Sequence, residues 1–259
     1  MKEQAAAICT RIVRALDGRP LNLMHVCGTH EDAIAQHGLR SLLPANLRLV
    51  MGPGCPVCIT PQGDIDAFVE LSRTPGVLVA TYGDLLKVPG SRTSLLDGGG
   101  RYKVVQSPHQ AARLAADHPN EKVVFLSIGF ETTAPATAAT LFSGAPDNFL
   151  VYSAHRLIPP ALRWLLASGE VHVDGFLLPG HVSTIIGTRP YEGMGVPQVI
   201  AGFEVVNHPR HVVKSVAQCN HRSEREKPFY ADRRVQRQCR RCATNDLTDR
   251  LCSQKAHAR

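Results

Sequence analysis

Three short segments carry residue types that can bind metal or move protons. Cys27-Gly28-Thr29-His30-Glu31-Asp32 follows an apolar run and opens a helix-like stretch, with Thr29 and Asp32 spaced as a capping box. A thiol at a helix N-terminus faces free N–H groups and the positive dipole end, a setting that suits an anionic ligand or nucleophile. His30 and Glu31 stand next to it as a ligand, proton carrier or orienting group. Gly52-Pro53-Gly54-Cys55-Pro56-Val57-Cys58 places two cysteines two residues apart. Such a pair chelates one metal or closes a reversible disulfide. Thr60-Pro61 reads as N-cap and first turn of the next helix. The alternatives are a buried Cys27 before an ordinary cap, and half of a structural zinc site for Cys55 and Cys58.

Two further turns have the same strand-to-helix form. Ile128-Gly129-Phe130-Glu131-Thr132-Thr133 offers a carboxylate and hydroxyls for a bound group at Glu131 and Thr132, or is simply a well-capped helix. Pro179-Gly180-His181-Val182-Ser183-Thr184 offers His181 and Ser183, but no GxSxG elbow supports a hydrolase. Asp84 and Lys87 line the same site or form a solvated turn. No GxxxxGK[ST] or GxGxxG occurs, so nucleotide binding has no motif behind it. Cys9, His25 and Trp164 read as structural, Trp164 on the apolar face of a helix.

The elements that must hold these residues are visible as short Val, Ile and Leu runs. Leu21–Val26, Leu47–Met51, Val77–Tyr82, Val123–Ile128, Phe149–Ser153, Gly175–Leu178 and Val196–Ala201 read as buried strands. Helix-like stretches over Asp64–Leu71, His109–Ala116, Ala134–Phe142 and Leu157–Leu166 alternate with them. That alternation predicts parallel α/β architecture: two sheet units of similar type with a cleft between them. The glycine cluster at Asp97-Gly98-Gly99-Gly100 suggests a boundary, dividing the chain into units 1–98 and 99–204. Nearly every polar cluster falls where a strand ends, which in open α/β sheets is where ligands bind.

Charge divides the chain again. Among its 259 residues, Met1 to Glu204 hold 16 Lys and Arg against 17 Asp and Glu, while Val205 to Arg259 hold 13 against 5. The first part is near neutral, and the basic end has only nine Leu, Ile, Val or Phe in 55 residues. Residues 205–259 therefore read as a divergent, poorly ordered basic tail. Nothing resembling a secretory leader or membrane span is evident, so a cytoplasmic protein is expected, whose cysteines serve metal or redox chemistry rather than structural disulfides.

Taken together, MHVCGTHE, GPGCPVC, TYGDLLKVPGS, IGFETTAP, PGHVSTIIG and VPQVIAGFE resemble, in order, the motifs of the HypD family of hydrogenase maturation proteins. The resemblance runs from Leu23 to Glu204, with His25 standing where an acidic residue is expected. It implies a cytoplasmic iron-sulfur protein, an accessory scaffold rather than a turnover enzyme. That scaffold carries the Fe(CN)2CO unit of nickel-iron hydrogenases with HypC-type and HypE-type partners, and has no membrane or nucleic-acid partner. It places the iron's main thiolate at Cys27 and a companion redox-active, metal-facing pair at Cys55 and Cys58, with His30 and Glu31 lining the site. Soft thiolate ligation suits low-spin iron with strong-field ligands. The family also carries a [4Fe-4S] cluster. Cys219, Cys239, Cys242 and Cys252 of the tail are embedded among arginines and read against such a cluster, a zinc knuckle or nucleic-acid tail being the alternative. Two rival readings remain: a thiol-disulfide oxidoreductase using Cys55 and Cys58 without iron, and a non-functional truncated fragment.

Overall fold

The structure is a computed structural model that describes residues 2–202, with side chains from residue 9 onward, and the backbone of Phe229–Tyr230. All seven expected strands form: β1 (Leu21–His25), β2 (Leu47–Met51), β3 (Val77–Thr81), β5 (Lys122–Gly129), β6 (Phe149–His155), β7 (Gly175–Pro179) and β8 (Gln198–Ala201). Two more join them, β4 (Tyr102–Val104) and β9 (Phe229–Tyr230). The helices are α1 (Lys2–Leu16), α2 (Gly28–Gln36), α3 (Gln62–Arg73), α4 (Pro108–Asp117), α5 (Ala134–Phe142), α6 (Ile158–Ser168) and α7 (Gly180–Ile186). Every strand pairing is parallel, and β9 extends one sheet beyond β8. The rest of the expected basic tail lies outside the described residues.

The strands sort into two sheets, ordered β2-β1-β7-β8-β9 and β4-β3-β5-β6. Apart from β9, each sheet reads second, first, third, fourth in its own chain order, so the two α/β units are alike in topology. The boundary, however, is not at the glycine cluster. One unit comprises residues 1–54 and 158–259, and the other, 55–157, is inserted into it. Gly98 to Gly100 lie inside the inserted unit because they press a loop onto α3 rather than joining domains. A Cβ on Gly98 would lie 2.8 Å from Ser94 O and one on Gly100 would strike the Ser72 side chain. Arg73 Nε donates to Gly98 O at 2.7 Å, and Arg101 N to Ser72 O at 2.6 Å.

Each sheet buries its faces under helices. In the first unit Ile12 and Leu16 of α1 pack on Leu23, Leu47, Leu177 and Val199. In the inserted unit alternate residues diverge to opposite faces, as the period-2 pleat requires. Val77, Val79, Val124 and Leu126 meet Ile65 and Phe68 of α3, while Leu78, Ala80, Val123 and Phe125 meet Ala111, Ala112 and Ala115 of α4. On α6 the buried residues are Ile158, Pro159 and Leu162; Trp164 faces outward and is 63% exposed, so the expected place on the helix's apolar, structural face is corrected.

Candidate functional site

In each sheet the first and third strands of its own chain order lie side by side, and their following segments leave toward opposite edges. Such a switch point is where open α/β sheets place ligands. In the first unit β1 ends at His25 and leads to Cys27, while β7 ends at Pro179 and leads to Gly180 and His181. In the inserted unit β3 leads to Tyr82-Gly83-Asp84 and β5 to Phe130-Glu131-Thr132. Cys27, His30, Glu31, His181 and Ser183 thus belong to one unit. Cys55, Cys58, Glu131 and Thr132 belong to the other.

Cys27 is itself the N-cap of α2, with extended φ −163° and ψ 134° and no side-chain capping bond. The helix starts before Thr29, so the expected Thr29–Asp32 capping box is not formed. The Cys27 loop is pinned from the neighbouring strand end instead. Gly28 N donates to Gly54 O at 3.0 Å and Gly52 N donates to His25 O at 2.9 Å. Gly54 touches the Cys27 backbone so closely that a Cβ would lie 2.6 Å from its carbonyl carbon. His30 is fully buried and its Nε2 stands 3.4 Å from Ala201 O, fastening α2 to the end of β8.

Glu31 is committed. Arg40 grips both its oxygens at 2.7 and 2.6 Å, and Nε2 of the fully buried His25 lies 2.9 Å from Oε2. The Arg40 hydrogen bonds hold the Glu31 carboxyl below its ordinary 4.5, and burial above all pushes His25 below its ordinary 6.5. In the folded state both groups therefore bind protons less readily than in the unfolded chain. Their contributions to stability are present above 6.5 and 4.5 respectively and are lost as pH falls through the lower folded values. Denaturant midpoints measured from pH 8 to 4 are expected to fall on acidification, and Glu31→Gln to flatten the limb below pH ~5. An unchanged limb in that variant would remove Glu31 from this account.

In the inserted unit Cys55 and Cys58 face each other across one turn. The Cys58 thiol donates to Cys55 Sγ at 2.7 Å, and Cys58 N–H donates to the same sulfur at 3.3 Å. That thiol-to-sulfur bond, chiefly, raises the Cys58 thiol above its ordinary 9.0. Thr60 does not cap α3, whose N-cap is Pro61; its hydroxyl closes the cysteine turn by donating to Pro56 O at 2.8 Å. Glu131 is buried and Thr132 exposed before α5, where Gly129 is required because a Cβ there would collide with Thr133 Oγ1. His181 is exposed in the first turn of α7. Ser183 is fully buried and donates to Pro179 O at 2.8 Å, so its hydroxyl serves the helix rather than a ligand. Asp84 and Lys87 are both exposed, as in a solvated turn.

Cys9, Cys27, Cys55 and Cys58 are free thiols, and among the described residues no three His, Cys, Asp or Glu side chains gather as a metal cage. Cys219, Cys239, Cys242 and Cys252 lie outside the described residues. Among the described residues no helix is long and apolar enough to cross a membrane. The groups that spacing could not reveal are Arg40 and Gly54, whose importance comes only from what they touch.

The chain matches the family described as HypD, hydrogenase formation hypA family, over residues 3–259, which carries the likeness past Glu204 into the basic segment. It is 43% identical over 247 residues to hydrogenase maturation factor HypD2 of Bradyrhizobium diazoefficiens, covering 88% of this chain and 65% of that one. Hydrogenase maturation factor HypD of Azotobacter vinelandii is 43% identical over 243 residues, covering 87% and 64%. Hydrogenase maturation factor HypD of Escherichia coli is 44% identical over 210 residues, covering 77% and 56%. The chain thus spans just over half to two thirds of the length of these relatives. A family match across nearly every residue, on a sheet that sets its cysteine motif at a switch point, establishes that the chain belongs to the HypD family of hydrogenase formation proteins.

Proposed function

We propose that the chain acts in nickel-iron hydrogenase maturation as a scaffold that takes an iron unit, Fe(CN)2CO, as its cargo, together with HypC-type and HypE-type partners in the cytoplasm. The observation that supports this most is the placement of Cys27, a half-buried free thiol at the carboxyl end of interior strand β1 and the N-terminus of α2. A single soft thiolate is enough to attach iron whose other positions are filled by its own diatomic ligands or by a partner.

In this reading Cys27 is the ligand, and buried His30 and the His25–Glu31–Arg40 cluster hold its loop. Cys55 and Cys58 alternate between dithiol and disulfide by exchange with a partner disulfide, which takes up the two electrons and two protons given up on closure and leaves as two thiols. Exposed His181 and Thr132, with Glu131, are the candidates for contacting cargo or partner. No step is assigned to a [4Fe-4S] cluster. The protein is an accessory factor rather than a turnover enzyme.

The test is iron content. The chain, produced under anaerobic, iron-replete conditions with its HypC-type partner, is expected to retain iron in stoichiometric amounts; an iron-free complex would overturn the reading. Complementation of a strain lacking the full-length protein then separates a working scaffold from an inactive fragment. The 2.7 Å thiol contact between Cys58 and Cys55 also favours a second reading, a thiol oxidoreductase without iron. Rapid exchange with thioredoxin by a metal-free, fully competent protein would favour it.

A further inference from the structure

The helix that follows Cys58 is fastened by groups that no motif spacing announces. α3 begins at Gln62, four residues after Cys58, and Pro61 gives it no side-chain cap. Asp64, in its first turn, would ordinarily serve the helix's own free N–H groups. Its carboxylate is instead shared with β6 and the residue that follows it: Tyr152 Oη donates to Oδ1 at 3.0 Å and Arg156 Nη2 to Oδ2 at 2.9 Å. Both partners are themselves held. The Tyr152 ring meets Phe68 edge-on, with centroids 5.0 Å apart, and Arg156 N donates to Gly129 O at 2.9 Å.

From the other side, Asp66 accepts Ser91 N–H and hydroxyl at 2.6 Å each, and Gln62 Nε2 donates to Pro89 O at 3.0 Å. Val57, between the two cysteines, packs against the core cluster of α3 and its sheet. The segment between Cys58 and α3 has little slack, because Thr60 binds back to Pro56 O and Asp64 N to Pro61 O. A displaced α3 start therefore strains the turn that carries both cysteines.

We propose that Asp64, through Tyr152 and Arg156, is a positioning residue for the Cys55–Cys58 dithiol, holding the two sulfurs at bridging distance. The role rests on the redox reading above only for its biological use; the geometry itself can be measured apart from it. Asp64 and Arg156 are partly solvated, so their pair adds little to global stability. Its leverage is on geometry, since a disulfide or a bridged ligand demands closely defined sulfur and Cβ positions.

The experiment uses the full chain and two probes, each read by mass spectrometry on the peptide that holds Cys55 and Cys58, because Cys239 and Cys242 have the same spacing. Phenylarsine oxide bridges two thiols only when they are close, whether or not the pair is redox-active. Oxidised glutathione reports closure: the Cys55 and Cys58 S–H bonds and the glutathione S–S bond break, one protein S–S bond forms, and two electrons and two protons pass to give two reduced glutathiones. Asp64→Ala is expected to slow arsenical capture about tenfold, as a small misplacement of reacting groups does. Tyr152→Phe, which keeps the ring on Phe68, should give a smaller slowing, and the exposed α3 variant Glu70→Ala none. Asp64→Asn, which still accepts from Tyr152, should recover part of the rate. Equal arsenical rates in wild type, Asp64→Ala and Tyr152→Phe would overturn the proposal, even if Asp64→Ala melts earlier. If Asp64→Ala does not fold, Tyr152→Phe decides alone, slowed capture supporting the role and unchanged capture overturning it. A wild type that captures arsenical but never forms the disulfide would defeat the redox reading and leave this inference to be judged by the arsenical rates.

Discussion

Cys27→Ala is expected to purify without iron under conditions in which the unaltered chain, with its HypC-type partner, retains it. The loss should be near complete because the described residues offer no alternative cage: His30 is buried against Ala201 O and Glu31 is held by Arg40 and His25. Folding should be almost untouched. Cys27 caps α2 without a side-chain hydrogen bond and is only half-buried, so truncation removes no cap and opens little cavity. A cost of about 1 kcal/mol or less is expected, visible as a small shift in Tm. Iron measured by emission spectroscopy together with Tm separates a lost ligand from a lost fold. Cys27→Ser should retain little iron, since a hydroxyl is a harder and more weakly coordinating donor than a thiolate. Equal iron in the alanine variant and the parent would remove Cys27 from the site.

How much of this could be read from sequence follows the range of each interaction. Apolar strands such as Val77–Thr81 are buried on both sides, and their runs of Val and Leu report that burial directly. All seven were legible, mostly to within two residues. β4, three residues long and partly exposed, has too few apolar positions to leave a pattern. The cysteine motifs were legible because their chemistry lies within seven consecutive residues. What holds them was not. Asp64 meets Tyr152 and Arg156 across 88 and 92 residues, and no local spacing encodes such a pairing.

Domain organisation failed for a related reason. Gly98 to Gly100 look like a linker, yet Gly98 and Gly100 lie close against Ser94 and Ser72, and Gly99 between them takes a positive φ of 70°. A run of glycines signals either freedom or close approach, and only the neighbours distinguish the two. The insertion of residues 55–157 between β2 and α6 has no local signature either. Thr29 misled in a smaller way: the helix begins one residue after Cys27, which gives the cysteine the N-cap position that the capping box had assigned to threonine.

Gly54→Ala is expected to destabilise the chain and to loosen its hold on iron together. An added Cβ would stand 2.6 Å from the Cys27 carbonyl carbon and 2.7 Å from its Cα and N, all backbone atoms that cannot rotate away. Relief requires the β2 exit to separate from the Cys27 loop, stretching the 3.0 Å bond from Gly28 N to Gly54 O, or Cys27 to move at the N-terminus of α2. Overpacking of this kind costs about 1–3 kcal/mol. Gly63→Ala makes the control: this helical glycine has nothing within 4 Å of a built Cβ and no positive φ. There the change should stabilise by roughly 0.5–1 kcal/mol, because alanine gives up less backbone freedom on folding. Opposite signs of the two Tm shifts, with reduced iron only in Gly54→Ala, would tie the glycine to the thiol it touches. A Gly54→Ala chain that melts with the parent and keeps its iron would show that the loops separate at no cost, and that Gly54 does not position Cys27.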